Sequence, residues 1–405
     1  AHSSDLIVFP EMCVTGYIVG DLYDDDCFIR DAQRCNEQIR VATKVGTTAI
    51  WGNITLDMKN KGENGRLRKS NTALIAQNGK WIGYIYKTLQ PNYRIFDDDR
   101  HFYSTRKVFE EELQNISLEN ELNSLTIQDY FLPFELQTKI GNIKLGIILC
   151  EDMWCEDYAY NPTKYLVDNG AELIINLSAS PWSWQKNRKR HEIVKNLLFT
   201  SKVPFVYVNN TNIQNTGKNI VVFDGSSTVY NPEGDIIFAI PAYEEGTREL
   251  TFTADMPIVL TSPPNDTKEL YQALSCAIRE YFKTLPPTRR KVVVGASGGI
   301  DSALTLALYV DVLGKENVIA INMPSRFNSE VTKSIAEELA KNLGINYEVR
   351  PIQEIVDLIA AKTGVEANTA NYENIQARTR MEILATRSRV FGAVFSSNWN
   401  KVEVT

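Results

Sequence analysis

Beyond residue 266 the sequence alternates between two hydrophobic periods, and this alternation restricts the fold more than any other feature of the chain. Helix-period segments at 267–283, 300–313 and 329–343 are separated by short apolar runs at 291–295, 317–323 and 346–350. Apolar residues recurring every three or four positions line one face of a helix, whereas a short continuous run bounded by turn residues reads as a buried strand. Strand and helix taken in turn build right-handed βαβ units on a doubly wound, Rossmann-like parallel sheet. The first 260 residues carry more strands: LIVF (6–9), TTAIWGNI (47–54), NTALIA (71–76), IKLGIIL (143–149), ELIINLS (172–178), FVYVNN (205–210) and GSSTVYN (225–231). Helical patterns at 28–44 and 186–201 lie among them, so this part reads as mixed α/β with a large β core. The acidic stretch 110–124 reads as a surface insertion, and the turn-rich MPIVLTSPPNDTK (256–268) as the domain boundary.

A length of 405 residues agrees with two domains, and 43% hydrophobic with 23% charged residues is globular. No apolar run approaches the ~18 residues that span a bilayer. The net charge of −7 argues against a nucleic-acid partner and for small substrates, the basic run Lys186 to Arg190 notwithstanding. Six cysteines without CxxC spacing, and no visible signal peptide, point to a reducing cytoplasm. The start at Ala1, almost directly before LIVFP, leads us to expect further residues in front.

The stretch VVVGASGGIDSAL (292–304) places a glycine turn between a strand and a helix, where free backbone N–H groups and the helix dipole attract an anion. Two readings compete. A dinucleotide-binding loop needs glycine at the position of Asp301, for close backbone packing, and an acidic ribose ligand roughly 20 residues on. The second strand ends instead in Met323-Pro324-Ser325-Arg326. A carboxylate facing phosphates makes sense when a cation intervenes, so the loop fits the pyrophosphate of Mg-ATP, with Asp301 on Mg2+ and Ser297 and Ser302 donating to phosphate oxygens.

In the first part Cys150 directly follows the strand IKLGIIL, Glu11 follows LIVFP, and Lys87 ends YIYK. Nucleophilic attack on an amide calls for a thiol or hydroxyl, a base and an oxyanion donor. The three histidines, His2, His101 and His191, lie outside apolar strand ends, which makes a carboxylate base more plausible than an imidazole. A lysine at a strand end can stabilise negative charge on a substrate oxygen and lower a thiol's pKa.

FPE…TGY, K…QPNYRIFDDDR and GIILCEDMW, in this order, resemble the Glu-Lys-Cys triad of the nitrilase, or carbon–nitrogen hydrolase, superfamily. The resemblance implies that Glu11 is the general base, Lys87 the support of the tetrahedral intermediate and Cys150 the nucleophile forming a γ-glutamyl thioester. It further implies that Tyr93, Glu151, Ser180 and Lys186 hold glutamine. Two departures stand out: Gln90 occupies a place where relatives run from leucine directly into proline, which could shift Tyr93, and Trp182 and Trp184 are bulky beside a small substrate. Residues 265–405, through SGGIDS, INMPSRFNSE (321–330), YENIQARTRMEIL (372–384) and SSNWNKVEVT (396–405), resemble NAD synthetases. That resemblance implies ATP at Ser297, Gly298, Gly299, Asp301, Ser302, Met323 and Arg326, deamido-NAD at Asn374 and Arg378, and Mg2+ on Asp301 and Glu403. The family continues past Thr405, so the domain is expected to be incomplete at its C-terminus.

The two resemblances on one chain point to the glutamine-dependent NAD synthetases, carbon–nitrogen ligases that pass ammonia from glutamine through an interior tunnel to adenylated deamido-NAD. The expected organisation is a nitrilase-like αββα sandwich at 1–257, a linker and connecting helix at 258–288, and a Rossmann-like ATP-pyrophosphatase domain at 289–405. Family association implies a homo-oligomer, possibly an octamer. Three rivals stay open at this point: a nitrilase-type amidase with a degenerate second domain, a dehydrogenase, and a nucleotide-binding module without chemistry.

Overall fold

The computed structural model describes residues 4–62, 65–118, 126–139, 141–215, 219–253, 256–259 and 265–398. The chain divides into two units, 1–273 and 274–405. The division falls inside the helix Asp266–Thr284, within the segment expected to connect the domains.

The first unit is built on two sheets. Strands β1 (Leu6–Val8), β2 (Thr48–Lys61), β3 (Leu67–Gln77) and β4 (Lys80–Tyr86) form one in the order β1-β2-β3-β4. The second contains β5 (Phe134–Thr138), β6 (Gly141–Leu149), β7 (Leu173–Ser178) and β8 (Phe205–Asn209). β9 (Thr211–Asn215) and β10 (Ile220–Asp224) form a separate antiparallel pair, and β11 (Thr228–Tyr230) and β12 (Ile236–Ala239) complete the second sheet as β12-β11-β8-β7-β6-β5. The strand ends LIV, GIIL and INLS run parallel to their neighbours, β1 to β2 and β6 to β7 to β8. Their near-continuous apolar character follows from burial on both faces.

Inward residues of both sheets, Ile50, Ala73 and Ile75 from one and Leu145, Ile147, Leu149, Ile175 and Leu177 from the other, make one core cluster. Helices α1 (Asp26–Ala42), α2 (Asp98–His101), α3 (Thr105–Leu118), α4 (Pro162–Asp168) and α5 (Lys186–Ser201) accompany the sheets. α1 lies on the far face of the first sheet, where Ile39 meets Trp51, Leu74 and Ala76. α5 covers the second through Ile193, Val194, Leu197 and Leu198. This is the αββα sandwich expected from the sequence. Of the acidic insertion at 110–124, residues 110–118 belong to the helix Thr105–Leu118, and 119–124 lie outside the described residues.

The second unit follows α6 (Asp266–Thr284). It orders β13 (Val292–Gly295), α7 (Ile300–Leu313), β14 (Val318–Asn322), α8 (Glu330–Leu343), β15 (Asn346–Val349), α9 (Gln353–Thr363), α10 (Ala370–Val390) and β16 (Val394–Ser396). All four strands are parallel, in the order β15-β14-β13-β16, so the chain reverses direction of winding beside β13. Such a switch point opens a crevice at the carboxyl ends of the strands, where ligands bind in doubly wound sheets. α9 and α10 had no clear counterpart in the hydrophobic pattern, because α10 buries Tyr372, Gln376, Thr379 and Ser388 on its inner face beside Leu384. Its packed face is largely polar, and a period search finds no apolar stripe.

The first unit also buries Arg190 from α5 against Asp224 at the end of β10, with contacts of 3.0 and 3.2 Å, and stacks its guanidinium over Tyr207. Removing one partner leaves the other charge buried and alone. Asp224→Ala is therefore expected to destabilise the first unit by ~3–5 kcal/mol, read as a fall in the urea midpoint.

Candidate active site

Three strand ends of the first unit deliver Glu11, Lys87 and Cys150. Glu11 follows β1 and is completely buried, as is Lys87 after β4. The two form an ion pair at 2.8 Å, Lys87 Nζ donating to Glu11 Oε1. The same Glu11 oxygen accepts from Asn71 Nδ2 at 2.6 Å, and Glu11 Oε2 accepts from the backbone N–H of Ala179 at 2.8 Å. On its other side Lys87 donates to Asp98 Oδ2 at 2.8 Å, and Asp98 Oδ1 accepts from the Tyr17 hydroxyl at 2.7 Å. Burial opposes the charge on Lys87, but Asp98 and Glu11 outweigh it and hold the ammonium well above the ordinary lysine value. A charge taken out of water survives only when its hydrogen-bonding capacity is met, and here it is met on both sides.

Close approach of the Glu11 segment to β2 requires glycine. A Cβ at Gly52 would lie 2.4 Å from the Glu11 Cα and 2.6 Å from the Met12 nitrogen, while Gly52 N–H donates to Pro10 O and its carbonyl accepts from Cys13 N–H.

Cys150 ends β6 in the left-handed region, φ +38°, at the start of a tight turn that runs to Met153. For a residue with a Cβ this conformation is disfavoured and persists where surrounding contacts enforce it. Burial and then the Glu11 carboxylate push its thiol well above the ordinary value, while Lys87 pulls the other way. These surroundings disfavour the thiolate, so a thiol at this place would need a base to act as a nucleophile. Glu151, next in the chain, accepts from the hydroxyls of Tyr93 at 3.1 Å and Tyr158 at 3.0 Å. Burial raises its carboxyl above the usual range. Gln90 is buried and donates to Phe102 O at 2.9 Å, and with it in place Tyr93 still reaches Glu151. Ser180 is buried and exchanges hydrogen bonds with the Asn209 side chain. Lys186 opens α5 with its ammonium over Trp154, and burial lowers its pKa to about 8. The backbone N–H of Trp182 donates to Val222 O at 2.7 Å, whereas Trp184 is half exposed.

His191 bonds the Tyr230 hydroxyl at 2.6 Å and His101 is buried beside Tyr23 and Phe102, so both sit in structural surroundings; His2 lies outside the described residues.

In the second unit Ser297, Gly298, Gly299, Asp301 and Ser302 form one turn from β13 into α7. Gly298 has φ +83°, and a Cβ there would sit 2.2 Å from Thr332 O. Ser297 Oγ lies 3.2 Å from Ser302 Oγ and accepts from Gly299 N–H at 3.2 Å. No side chain caps α7, whose first turn carries the exposed Asp301. Free N–H groups at such an end, with hydroxyls around them, suit a phosphate. Met323 ends β14 and is buried beside Gly295. Arg326 Nη2 donates to the Tyr372 hydroxyl at 3.1 Å, and its backbone N–H donates to Gln353 Oε1. Asn374 and Arg378 bond each other at 3.0 Å on the exposed side of α10. Glu403 lies outside the described residues. Among the described residues no cluster of three or more metal-ligating side chains occurs. A single carboxylate beside hydroxyls fits Mg2+ in the form in which it travels with nucleotide, bound largely by phosphate oxygens and water.

Sequence reasoning missed Asp98, Asn71 and the Ala179 N–H around the triad. Asp98 stood inside the run Asp97-Asp98-Asp99, where nothing in the sequence separates the buried carboxylate from its exposed neighbours. It also missed Asp152, whose carboxylate accepts from the N–H groups of Thr88, Leu89 and Leu149, and the Tyr372–Asp357–Gln353 cluster that holds Arg326.

A buried carboxylate–lysine–cysteine site on a four-layer sandwich, followed by a glycine turn on a parallel sheet, defines an amidase joined to a nucleotide-using domain. Residues 1–262 match the carbon–nitrogen hydrolase family and residues 270–405 the NAD synthase family. A glutamine-dependent NAD(+) synthetase of Synechocystis sp. is 30% identical over all of this chain, which spans 69% of that relative. The one of Acinetobacter baylyi is 29% identical over 100% of the chain and 68% of its own length. The solved structure of the Acinetobacter baumannii glutamine-dependent NAD+ synthetase, in complex with ADP, superposes with a TM-score of 0.79 at 28% identity, covering 99% of this chain and 69% of that one. The chain belongs to the glutamine-dependent NAD+ synthetase family.

Gly52→Ala is expected to displace Glu11, lowering glutaminase turnover and costing ~1–3 kcal/mol of stability through overpacking. Parallel glutaminase assays and thermal melts check it.

Proposed function

We propose that the chain makes NAD+ from deamido-NAD, ATP and glutamine, with Glu11, Lys87 and Cys150 carrying the glutaminase half and the Ser297–Ser302 turn the adenylation half. The buried Glu11–Lys87 pair beside a thiol in a strained strand-end turn carries this reading.

Glu11 accepts the Cys150 proton as sulfur attacks the side-chain carbonyl carbon of glutamine. Lys87 donates to the oxyanion that forms, and its permanent charge needs no rearrangement at that moment. Collapse breaks the C–N bond, the proton passes from Glu11 to the departing nitrogen, and ammonia leaves. Water, deprotonated by Glu11, then hydrolyses the γ-glutamyl thioester to glutamate. Tyr93, Glu151, Ser180 and Lys186 hold the amino acid, with Glu151 suited to its ammonium and Lys186 to its carboxylate.

In the second half the nicotinate carboxylate of deamido-NAD attacks the α-phosphorus of ATP and pyrophosphate leaves. Ammonia then attacks the acyl-adenylate carbon and AMP departs. The N–H groups of α7 with Ser297 and Ser302 bind the pyrophosphate end of ATP. Met323 and Arg326 lie at the adenosine, and Asn374 and Arg378 at the deamido-NAD. Asp301 and Glu403 would hold Mg2+, which would supply positive charge against the triphosphate. Delivery of ammonia through a protein interior avoids its protonation in water and raises its effective concentration. Six free cysteines support a reducing, cytoplasmic setting, and the family association supports a homo-oligomer.

Cys150→Ala should abolish glutamine-driven NAD+ formation and retain synthesis from ammonium salt, whereas Asp301→Asn should abolish synthesis and leave glutaminase activity. Assays of NAD+, AMP, pyrophosphate and glutamate test both variants; loss of both nitrogen sources in Cys150→Ala would contradict two separate sites. Lys186 carries its charge below pH 8 and loses it above. The KM for glutamine is therefore expected to rise as pH passes through about 8, with a much weaker pH dependence in Lys186→Arg.

A further inference from the structure

The end of β7 hydrogen-bonds both Glu11, through the Ala179 N–H, and Cys150, through Asn176, and Asn176 has no place in the mechanism so far. Asn176 is completely buried. In the parallel register Ile148 lies opposite Asn176 and Leu149 opposite Leu177, so its side chain stands beside the point where β6 runs into Cys150. Its Oδ1 accepts from the backbone N–H of Cys150 at 3.0 Å and from the Ser178 hydroxyl at 2.8 Å. Its Nδ2 is buried without a hydrogen-bond partner among the described residues. Three residues on, the N–H of Ala179 holds Glu11 Oε2.

We propose that Asn176 is the positioning residue of the glutaminase reaction, its amide oxygen locking the Cys150 backbone in the left-handed turn at a fixed place relative to Glu11. The proposal rests on Cys150 as the nucleophile. A left-handed conformation at a residue with a Cβ costs ~1–3 kcal/mol and needs an outside contact to hold it. The N–H of Cys150 donates to a side chain of β7, and Asn176 Oδ1 is the acceptor that meets it. An aspartate would serve as acceptor equally well, but it would add a third carboxylate around a thiol that Glu11 and Glu151 already push upward. The neutral amide keeps the lock without that charge, at the cost of an unpaired amino group.

Two full-chain variants test this. Asn176→Leu keeps the volume and removes the acceptor; glutaminase kcat is expected to fall by ~100-fold, the penalty of a misplaced reacting group. The KM for glutamine and ammonia-driven NAD+ synthesis should stay within ~threefold of the parent, since neither substrate contacts nor the second site are touched. Asn176→Asp keeps the acceptor and adds charge, so the pH profiles of kcat and of Cys150 alkylation by iodoacetamide should both move to higher pH. A residue with a merely structural role would lower stability and leave those profiles in place. The proposal is overturned if Asn176→Leu keeps parental kcat, if both nitrogen sources fail together in it, or if the Asn176→Asp profiles do not move. Should Asn176→Leu not fold, the Asn176→Asp profiles decide alone. Glutaminase activity surviving in Cys150→Ala would instead sink the nucleophile assignment.

Discussion

One buried ammonium organises the first unit. Lys87 lies between Glu11 and Asp98 at 2.8 Å from each, with no exposure to water. Three charges in such surroundings are tolerated only with every remaining lone pair engaged, and Asn71, Tyr17 and the Ala179 N–H supply those contacts. The arrangement needs the ends of β1, β4 and β7 together with a residue of β3. Both sheets and their register are thus prerequisites of the ion cluster. With a thiol beside this cluster, the proposed division of labour follows from the charges: a carboxylate suited to moving protons and an ammonium suited to meeting a negative oxygen.

The second unit handles charge in the opposite way. Its loop offers backbone N–H groups, two hydroxyls and an exposed carboxylate at a helix end. No group there is buried with its charge, because the partner charges arrive with the ligand. Gly298 is the one position where geometry forbids a side chain, since α8 passes within van der Waals distance. The same backbone permissiveness serves Gly52, which lets the Glu11 segment approach β2. Gly298 lets α8 pass beside its turn, and Gly52 lets the Glu11 segment pass beside β2.

Most of the architecture was legible from the residues. Strand-length apolar runs and helix-period segments matched elements within a few positions, from Leu6–Val8 through Asn346–Val349. Two of the exceptions share a cause. β4 alternates exposed and half-buried residues around exposed Ile82, Tyr84 and Tyr86, and α10 packs a polar face, so neither shows the expected contrast between inside and outside. Motifs singled out Glu11, Lys87 and Cys150, and the buried contacts around them left no mark in the sequence. Asp98, Asn71, Asn176 and Asp152 are short polar residues whose role depends on partners 11 to 64 positions away.

The sequence by itself determined that a thiol, a carboxylate and a lysine each follow an apolar strand, and that an aspartate replaces the glycine of a dinucleotide loop. Those facts are local, because strand ends and helix starts are set by neighbouring residues. Tertiary structure alone decided which aspartate of the run at 97–99 pairs with Lys87 and that burial and Glu11 push the Cys150 thiol upward. It also decided that an asparagine on the next strand meets the Cys150 N–H. Charge and hydrogen-bond energies depend on distance and on the exclusion of water, and both are fixed only when strands far apart in the chain are brought side by side.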